Sequence, residues 1–363
     1  MRVALVHDWL TGMRGGEKCL EVFCEMFPEA PIYTLIHRPG SVSGAIESHP
    51  IHTSFLQRAP WGPKKYQHYL PLYPAAIERF DLRGYDLVLS SSHAAAKGVV
   101  IHPGTVHVCY CHTPMRYVWL LYEHYFGGER YGFPFSWLLP PMAAWLRNWD
   151  VVTSLRVDHF VANSHNVAAR ILRYYAREAS VVHPWVDLEA FRFDPQRPRG
   201  DYMLVISALV PYKRVDLAID AARQLGKRLV VVGSGVERKR LERRAGANTE
   251  FLGWVEFEQL HRLLQGAQAL LFPGEEDFGI VPLEAMACGT PVVAYGTGGV
   301  LETVQPGRTG IFFQEQTAEA MAEAIEKLEQ AGLDPADARR RAENFSRASF
   351  RVRMEEEVAM ALE

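Results

Sequence analysis

Cysteine is scarce in this sequence, long apolar runs are absent, and neither sign of charge is in large excess. The five cysteines are an odd number, which does not suit a set of paired disulfides and predicts a reducing compartment. No segment reaches the roughly 18 apolar residues of a membrane span, and residues 1–9 lack the long apolar core of a signal peptide. A formal net charge of −3 gives no general reason to bind nucleic acid. We therefore expect a globular protein of the cytoplasm that does not bind nucleic acid.

Two motifs of common cofactor and metal sites are also missing. After the predicted strand Leu229–Val232, the sequence Gly233-Ser234-Gly235 continues with Val236-Glu237-Arg238, which breaks the Gly-x-Gly-x-x-Gly pattern of dinucleotide-binding loops. A nicotinamide cofactor is therefore not expected. No Asp-x-Asp motif occurs in the chain, so the sequence shows no sign of a metal-bridged diphosphate site.

The chain alternates strand-like and helix-like runs, over a length that suits two domains. Strands are predicted at Val3–Val6, Ile32–Leu35, Leu87–Leu89, Val106–Tyr110, Phe160–Ala162, Met203–Ile206, Leu229–Val232, Phe251–Leu252, Leu270–Phe272, Val292–Ala294 and Ile311–Phe313. Helices are predicted at Glu17–Phe27, Val215–Leu225, Glu237–Arg244, Ile280–Cys288 and, as a charged C-terminal run, Ala338–Leu362. This alternation predicts an α/β fold with parallel sheets. The segment Asp187–Asp201, rich in proline and charge, marks a linker between the two halves.

The most informative stretch, Ala269–Val304, reads ALLFPGEEDFGIVPLEAMACGTPVVAYGTGGVLETV. A short apolar strand is followed by a polar loop, residues 274–279, and then by a predicted helix in which Pro282 suits the first turn. A second strand leads into the glycines of residues 296–299 and another helix start. Such strand–loop–helix repeats aim backbone N–H groups and the positive end of a helix at one place, which suits a phosphate.

Two carboxylates bracket this predicted phosphate-binding loop, Glu276 within the loop and Glu284 in the helix, with seven residues between them. A carboxylate accepts two hydrogen bonds and so fits the vicinal hydroxyls of a ribose or a hexose. Taken singly, either glutamate is better explained as a solvated loop or helix-terminal charge, but the pair in its context is specific. The Glu-x7-Glu spacing around Phe278-Gly279, followed by a small-residue helix and Gly289-Thr290-Pro291-Val292-Val293, resembles the nucleotide-sugar site of the family 4 retaining glycosyltransferases.

The resemblance extends over nearly the whole chain and implies the GT-B fold, in which two doubly wound Rossmann-like domains face a central cleft. It implies an N-terminal acceptor-binding domain over residues 1–186 and a C-terminal nucleotide-sugar-binding domain over residues 187–346. A last helix, about residues 347–363, would pack back on the first domain. The implied activity is the retaining transfer of a hexose from a nucleoside diphosphate sugar to an acceptor hydroxyl. No cofactor and no obligatory metal ion are expected, in agreement with the missing Asp-x-Asp motif.

The resemblance also implies roles for individual residues. Glu276 would hold the hexose hydroxyls and Glu284 the ribose, while His112, which follows the strand Val106–Tyr110, would contact the hexose near the scissile bond. The catalytic candidates are His112, Glu276 and Lys213. The donor-binding candidates are Gly15, Gly16, Lys213, Arg214, Glu276, Asp277, Phe278, Gly279, Ile280 and Glu284.

Lys213 lies between the predicted strand Met203–Ile206 and a helix, where a cation can neutralise a diphosphate. A lone loop lysine is more often solvated, but the family's diphosphate-binding lysine occupies this place in the pattern. Five residues earlier, where the family usually has an arginine, this chain has Ala208. Either Arg214 or another cation then supplies the second positive charge, or the leaving group is held less tightly than in relatives.

A zinc site formed by His107, Cys109, Cys111 and His112 is the alternative for this part of the chain. Alternation places the first three on one strand face, but a strand interior rarely opens enough for tetrahedral ligation. No second cluster of cysteine and histidine completes four ligands. We therefore expect no zinc at this strand.

The donor is predicted from two further stretches. His112-Thr113-Pro114-Met115-Arg116-Tyr117 together with Pro211-Tyr212-Lys213-Arg214 looks most like bacterial mannosyltransferases of surface-polysaccharide assembly, which favours GDP-mannose. The alternatives are a UDP-glucose or ADP-glucose type of donor, a GT-B sugar epimerase, and a catalytically silent nucleotide-sugar-binding subunit. Ala208 gives the last alternative some support.

The acceptor is expected to be a glycan or a lipid-linked glycan intermediate. Residues 54–80 interleave aromatic and basic side chains, and residues 125–145 are rich in aromatics and leucine. Amphipathic aromatics beside basic residues suit the surface of an anionic membrane, so the protein is expected in the cytoplasm with peripheral contact to the inner face of the membrane. The alternative is that these aromatics pack within the first domain.

Overall fold

The computed structural model describes residues 1–120, 122 and 135–363. These residues form two compact units: the first comprises Met1–Pro184 together with Phe350–Glu363, and the second comprises Trp185–Ser349. Each unit is built around one parallel sheet. Residues 125–134 of the aromatic-rich segment 125–145 lie outside the part of the chain that the structure describes.

The first unit contains a parallel sheet with the strand order β3-β2-β1-β4-β5-β6-β7. Its strands are β1 (Val3–Leu10), β2 (Ile32–His37), β3 (Ile51–Thr53), β4 (Leu87–Ser92), β5 (Val106–Cys111), β6 (His159–Ala162) and β7 (Ser180–Val181). Every residue of β1 is buried, as expected for a strand covered on both faces of a parallel sheet. The edge strands β3 and β7 were not predicted, because three and two residues are too few to show a pattern.

The helices of the first unit alternate with these strands along the chain. Within the described residues they are α1 (Gly15–Met26), α2 (Gly44–Glu47), α3 (Gly62–Lys65), α4 (Tyr73–Ile77), α5 (Arg116–Trp119), α6 (Phe135–Ser154) and α7 (His165–Tyr175), with 3-10 turns at Phe55–Arg58, Tyr66–Leu72 and Ala96–Gly98. The buried side of α1 includes Leu20, Phe23 and Cys24, which are spaced three or four residues apart or adjacent, as one helical face requires.

The second unit contains a parallel sheet with the strand order β10-β9-β8-β11-β12-β13. Its strands are β8 (Tyr202–Ile206), β9 (Arg228–Val232), β10 (Thr249–Gly253), β11 (Ala269–Phe272), β12 (Val292–Tyr295) and β13 (Gly310–Phe313). Its helices are α8 (Val215–Gln224), α9 (Arg238–Arg244), α10 (Phe257–Gly266), α11 (Ile280–Ala287), α12 (Val300–Thr303), α13 (Ala318–Ala331) and α14 (Pro335–Glu343), with a 3-10 turn at Pro211–Lys213. This is the Rossmann strand order, which reverses direction between β8 and β11.

The charged C-terminal run forms two helices instead of the single predicted helix. After α14 the chain breaks at residues 344–346, and α15 (Arg347–Leu362) follows. The break has a packing cause: the Phe345 side chain is buried and lies against Phe278 in the second unit, with the ring centres 6.0 Å apart. Farther along, Phe350 of α15 lies against Phe23 and Tyr110 in the first unit, with ring-centre distances of 5.9 and 5.6 Å.

The aromatic residues of segment 54–80 divide between the core and the surface. Tyr66 and Tyr73 are buried beside Trp9, with ring-centre distances of 4.9 and 5.9 Å. The packing alternative therefore holds for these two tyrosines. In contrast, Trp61 is 70% exposed, and the Lys65 ammonium lies 5.5 Å from its ring centre. Among the described residues, no helix combines the length and apolar character that crossing a membrane requires.

A buried ion pair joins the 3-10 turn after β4 to helix α6. The Lys97 side chain is almost fully buried, and its Nζ lies 3.0 Å from the Asp150 carboxylate and 2.9 Å from Thr153 Oγ1. Trp119 Nε1 and the Tyr175 hydroxyl each donate a hydrogen bond of 2.8 Å to the other carboxylate oxygen of Asp150. Two buried charges thus satisfy each other within one network, and removing either would leave the other uncompensated.

We predict that Lys97→Met lowers the free energy of unfolding by about 3 kcal/mol, because it leaves the buried Asp150 carboxylate without its cation. Urea denaturation followed by circular dichroism measures this change. The matched control is Lys65→Met, which removes an exposed lysine of the same unit and should change stability by less than about 0.5 kcal/mol. Equal losses in the two variants would contradict the prediction.

Candidate functional site

Lys213 and Glu276, which are 63 positions apart in the sequence, form an ion pair in the second unit. Lys213 ends the 3-10 turn that follows β8, and Glu276 lies in the loop that follows β11. The two side chains are only 14% and 20% exposed. Gly274 permits this approach, because a Cβ at this position would lie 2.9 Å from the Lys213 Cα. The structure therefore brings together the predicted diphosphate-binding lysine and the predicted hexose-binding glutamate.

The same loop ends at the amino terminus of α11. Gly279 precedes the helix with a φ of +85°, a conformation that favours glycine. No side chain caps this terminus, so the first N–H groups of the helix, at Ile280 and Val281, point out of its positive end. Glu284 lies in the second turn and is 8% exposed. A cation, helix-terminal amides and two carboxylates thus belong to one loop–helix segment and the turn beside it.

The glycine-rich loop of residues 296–299 packs against the loop that carries Glu276. The Gly299 N–H donates a hydrogen bond of 3.0 Å to the Glu276 carbonyl oxygen. A Cβ on Gly299 would lie 2.3 Å from both the Asp277 carbonyl oxygen and the Phe278 Cα, so only glycine allows this contact. Phe278 is buried, and Asp277 is half-buried. Close packing of the two loops therefore sets the position of the Glu276 backbone.

The Arg214 side chain forms hydrogen bonds with other side chains of the second unit. Its guanidinium group donates to the Asp216 carboxylate at 3.2 and 3.3 Å and to Gln316 Oε1 at 3.2 Å. The Gln316 side-chain amide in turn donates a hydrogen bond of 2.9 Å to the Pro273 carbonyl oxygen, at the start of the Glu276 loop. Ala208, at the position of the family's usual arginine, is exposed. Arg214 thus braces the loop through Gln316, a residue that no sequence motif marked.

In the first unit, His112 follows β5 and belongs to a buried hydrogen-bonded group. Its Nε2 lies 2.9 Å from Ser91 Oγ, and the same oxygen lies 3.0 Å from His7 Nδ1. Gly16 lies against both imidazole rings, since a Cβ there would be 3.5 Å from His112 Nε2 and from His7 Cε1. Gly15 has open space around the same position. Of the two predicted glycines, Gly16 is therefore the one that contacts His112.

Beside this group, the Asp8 carboxylate closes the turn that follows β4. It is fully buried and accepts hydrogen bonds of 2.6–3.0 Å from the backbone N–H groups of four consecutive residues, His93, Ala94, Ala95 and Ala96. His93 Nδ1 also lies 3.0 Å from Asp8 Oδ2. The His93 ring centre is 6.2 Å from that of His112. This carboxylate thus fixes both the turn and the imidazole ring that faces His112.

These neighbours determine the charge on each histidine. Burial, followed by the positive charge of His93, lowers the pKa of His112 to about 3. Burial alone would lower the pKa of His93, but the Asp8 charge and hydrogen bond outweigh it, so the pKa of His93 lies above its ordinary value. Burial raises the pKa of Asp8, but the charge of His93 and the hydrogen bonds at His93 bring it well below the usual range. His112 is therefore neutral near pH 7, and it lies beside the paired Asp8 and His93 side chains.

Sequence reasoning missed several members of this group. His7, Asp8, Glu17, Ser91 and His93 have no role among the sequence predictions. Their positions after predicted strands could have indicated a shared site. His7-Asp8 directly follows the predicted strand Val3–Val6, and Ser91 and His93 come shortly after Leu87–Leu89. Because β1 and β4 are neighbours in the sheet, these polar residues meet at the carboxyl edge.

His107 is not available as a ligand for the alternative zinc site. His107 Nε2 lies 2.8 Å from Ser90 Oγ, and His107 Nδ1 lies 3.0 Å from the Arg156 carbonyl oxygen. Both ring nitrogens of His107 are therefore used by protein oxygens. Burial also lowers the pKa of His107 to about 4, which keeps the ring neutral within the core.

We predict that His112 makes the protein less stable as the pH falls from 6 to 4. In this range the unfolded chain protonates His112, whereas the folded protein does not, because its folded pKa is depressed. The free energy of unfolding therefore decreases with acidification by about 1 kcal/mol per pH unit from this residue. His112→Gln should show a correspondingly flatter pH dependence in urea denaturation, whereas replacement of the exposed His68 by Gln should keep the wild-type slope. Parallel pH profiles for wild type and His112→Gln would contradict the assignment.

Comparison with known proteins places these observations in a family. A family model described as Glycosyl transferases group 1 matches residues 188–347, and one described as Glycosyltransferase Family 4 matches residues 21–190. D-inositol 3-phosphate glycosyltransferases of Mycolicibacterium paratuberculosis and Mycobacterium tuberculosis are 30% identical over 217 and 195 residues. These alignments cover 53% and 47% of this chain, and 49% and 41% of those proteins. The chain thus spans about half the length of the curated relatives it matches.

Solved structures show the same fold over the whole chain. Anabaena HepE in complex with UDP superimposes with a TM-score of 0.69 at 17% identity, covering 99% of this chain and 100% of that one. Sucrose-phosphate synthase from Thermosynechococcus elongatus superimposes with a TM-score of 0.73 at 17% identity, covering 99% of both chains. Because the two family models together cover residues 21–347 and both describe glycosyltransferases, this chain belongs to the family 4 glycosyltransferases and has the GT-B fold.

Proposed function

We propose that this protein is a retaining, metal-independent glycosyltransferase that moves a hexose from a nucleoside diphosphate sugar to an acceptor hydroxyl. The observation that carries the proposal is the contact between Lys213 and the Glu276 loop, next to the uncapped amino terminus of α11. In a parallel α/β sheet, ligands bind at the carboxyl ends of the strands where the strand order reverses. β8 and β11, which precede these two residues, are the neighbours at that point.

The Lys213–Glu276 ion pair is suited to exchange partners when the donor binds. The diphosphate carries more charge than one carboxylate, so it attracts the Lys213 ammonium and the N–H groups around Gly279 and Ile280. Glu276 then becomes available to accept hydrogen bonds from the hexose hydroxyls, while Glu284 accepts those of the ribose. Stabilising the leaving diphosphate in this way lowers the barrier to breaking the glycosidic bond, and it needs no divalent ion.

His112 orients the hexose and stabilises the charge that develops on it. Its imidazole is neutral near pH 7, so it can both donate and accept a hydrogen bond. Retention follows from attack on the same face of the sugar from which the diphosphate leaves, with the departing phosphate accepting the proton of the acceptor hydroxyl. Neither Glu276 nor His112 needs to act as a nucleophile in this scheme.

GDP-mannose is the proposed donor. The support is the similarity of residues 112–117 and 211–214 to bacterial mannosyltransferases of surface-polysaccharide assembly, and the acceptor is accordingly a glycan or a lipid-linked glycan intermediate. UDP-glucose is the second candidate, because HepE, a structural neighbour with a TM-score of 0.69, has been crystallised with it. The two donors share the diphosphate contacts, and they differ in the base and in the configuration of the hexose at C2.

We predict that the matching nucleoside diphosphate raises the melting temperature in differential scanning fluorimetry, and that EDTA does not change this shift. A ligand at 100 times its dissociation constant stabilises the folded state by about 2.7 kcal/mol. Lys213→Met should abolish most of the shift, whereas Lys239→Met, which alters an exposed lysine of the same unit, should retain it. GDP, GDP-mannose, UDP and UDP-glucose are compared in parallel.

The outcomes separate the alternatives. A shift with GDP compounds alone supports the mannosyltransferase proposal, and a shift with UDP compounds alone replaces GDP-mannose by the second candidate. A shift without glycosyl transfer to any hydroxyl acceptor supports the non-catalytic nucleotide-sugar-binding subunit. Interconversion of the donor sugar without transfer supports the epimerase. Absence of a shift with every nucleotide would overturn the proposed donor site.

Contact with an anionic membrane is proposed for the first unit. Trp61 is 70% exposed beside the exposed Lys64 and Lys65, and Leu138 and Trp145 of α6 are 64% and 47% exposed. Exposed aromatic and aliphatic side chains next to lysines suit insertion at a lipid surface with anionic headgroups. Such contact would give the protein access to a lipid-linked acceptor from the cytoplasmic side.

We predict that the protein sediments with phosphatidylglycerol vesicles and that Trp61→Ser weakens its binding roughly tenfold. The reason is that burying a large apolar side chain contributes about 1.5–3 kcal/mol. Trp254→Ser is the matched control, because Trp254 is 74% exposed but lies in the second unit. If the wild-type protein stays in the supernatant, or if both variants behave alike, this surface does not bind lipid.

A further inference from the structure

Four side chains of the first unit, three buried and one half-buried, follow one another from Glu17 to His112. They are Glu17 on α1, His7 on β1, Ser91 on β4 and His112 after β5. Glu17 is 3% exposed, and His7 and Ser91 are fully buried. The steps are 3.9 Å from Glu17 Oε1 to His7 Nε2, 3.0 Å from His7 Nδ1 to Ser91 Oγ, and 2.9 Å from Ser91 Oγ to His112 Nε2.

The central serine couples the two histidines. A hydroxyl has one proton to donate, so Ser91 Oγ can donate to one imidazole only and must accept from the other. If Ser91 donates to His7 Nδ1, then His112 carries its proton on Nε2. If Ser91 donates to His112 Nε2, then His7 carries a proton on Nδ1. In a neutral His7, the ring nitrogen that carries the proton therefore determines the tautomer of His112.

Glu17 decides between these two arrangements. Burial raises the pKa of Glu17, but its interaction with His7 and the charge of His93 bring it below its ordinary value, so the side chain is a carboxylate near neutral pH. A carboxylate only accepts hydrogen bonds. One Glu17 oxygen accepts from the Arg14 N–H at 3.1 Å, and the other lies 3.9 Å from His7 Nε2. Within the described residues, His7 Nε2 has no hydrogen-bond partner. A proton on His7 Nε2 is attracted to this oxygen, whereas a lone pair there would be repelled.

The other groups around His112 do not compete for its ring nitrogens. The ring centres of Tyr110 and His93 lie 5.1 and 6.2 Å from that of His112. The Tyr110 hydroxyl donates to the Val182 carbonyl oxygen, and His93 is paired with Asp8. Among the described residues, Ser91 is thus the hydrogen-bond partner of the His112 ring.

We propose that Glu17, His7 and Ser91 form a relay that holds His112 in the Nε2–H tautomer and so leaves Nδ1 as a hydrogen-bond acceptor for a substrate hydroxyl. The proposal rests on the proposed role of His112 in binding the hexose. Glu17, His7 and Ser91 are positioning residues, because they act on the substrate through His112. Glu17 also accepts from the Arg14 N–H at the start of α1, so the amino terminus of this helix, with Gly15 and Gly16, is connected to the same relay.

The test is the tautomer of His112, measured by two-bond 1H–15N correlation spectra of protein labelled at histidine. We expect the Nε2–H tautomer in the wild type and a mixture of tautomers in Ser91→Ala. The matched control is Ser90→Ala, which removes the neighbouring serine that bonds His107 at 2.8 Å and should leave the His112 signals unchanged. Glu17→Gln is the second variant, because an amide can donate to His7 Nε2 as well as accept from it, and should also give a mixture.

Kinetics provide a separate readout. With the donor identified by thermal shift, Ser91→Ala should lower kcat roughly 10- to 100-fold and leave the donor KM within about threefold, since stabilisation of developing charge by His112 acts mainly in the transition state. The Nδ1–H tautomer in the wild-type protein, or the same tautomer in wild type, Ser91→Ala and Glu17→Gln, would overturn the relay. The spectra need no substrate, so failure of the proposed glycosyl transfer is distinguishable from failure of the relay.

Discussion

Parallel strands of one sheet end at the same edge, and both units of this protein place their polar side chains at that edge. In the first unit, β1 and β4 are neighbours where the strand order reverses, and they carry His7 and Ser91. In the second unit, β8 and β11 are the corresponding neighbours, and Lys213 and Glu276 follow them. Loops that are remote in sequence are forced together at such a point. Both candidate sites depend on this constraint, since none of their side chains is brought to its partner by local structure alone.

The buried charges of the two sites are compensated by different kinds of partners. Asp8 is fully buried but accepts four backbone hydrogen bonds and pairs with His93, so its charge is compensated permanently. Lys213 and Glu276 are paired with each other and lie beside helix-terminal amides. An anionic ligand can replace Glu276 as the partner of Lys213 without leaving an unpaired cation. The first arrangement suits a fixed framework and the second an exchange of ligands.

Glycine contributes to both sites through close approach. Gly16 leaves room for two imidazoles, and Gly299 allows two loops to contact each other through their backbones. Arg214 shows how a cation near a proposed diphosphate site can serve another purpose, because its contacts with Asp216 and Gln316 brace the Glu276 loop. Arg214 is therefore not a free guanidinium group that replaces the arginine missing at position 208.

The sequence by itself determined the α/β class, most of the central strands and the spacing of Glu276, Glu284 and Lys213, because these depend on local periodicity and on short motifs. It also marked His112 through the stretch that follows a strand. The short edge strands, the break at Phe345 and the group formed by His7, Asp8 and Ser91 were decided only by tertiary structure. A two-residue strand exists because a neighbour pairs with it, and Phe345 interrupts a helical run because a core position accepts its ring. The histidine group exists because β1, β4 and β5 end side by side, a long-range contact that no local pattern encodes.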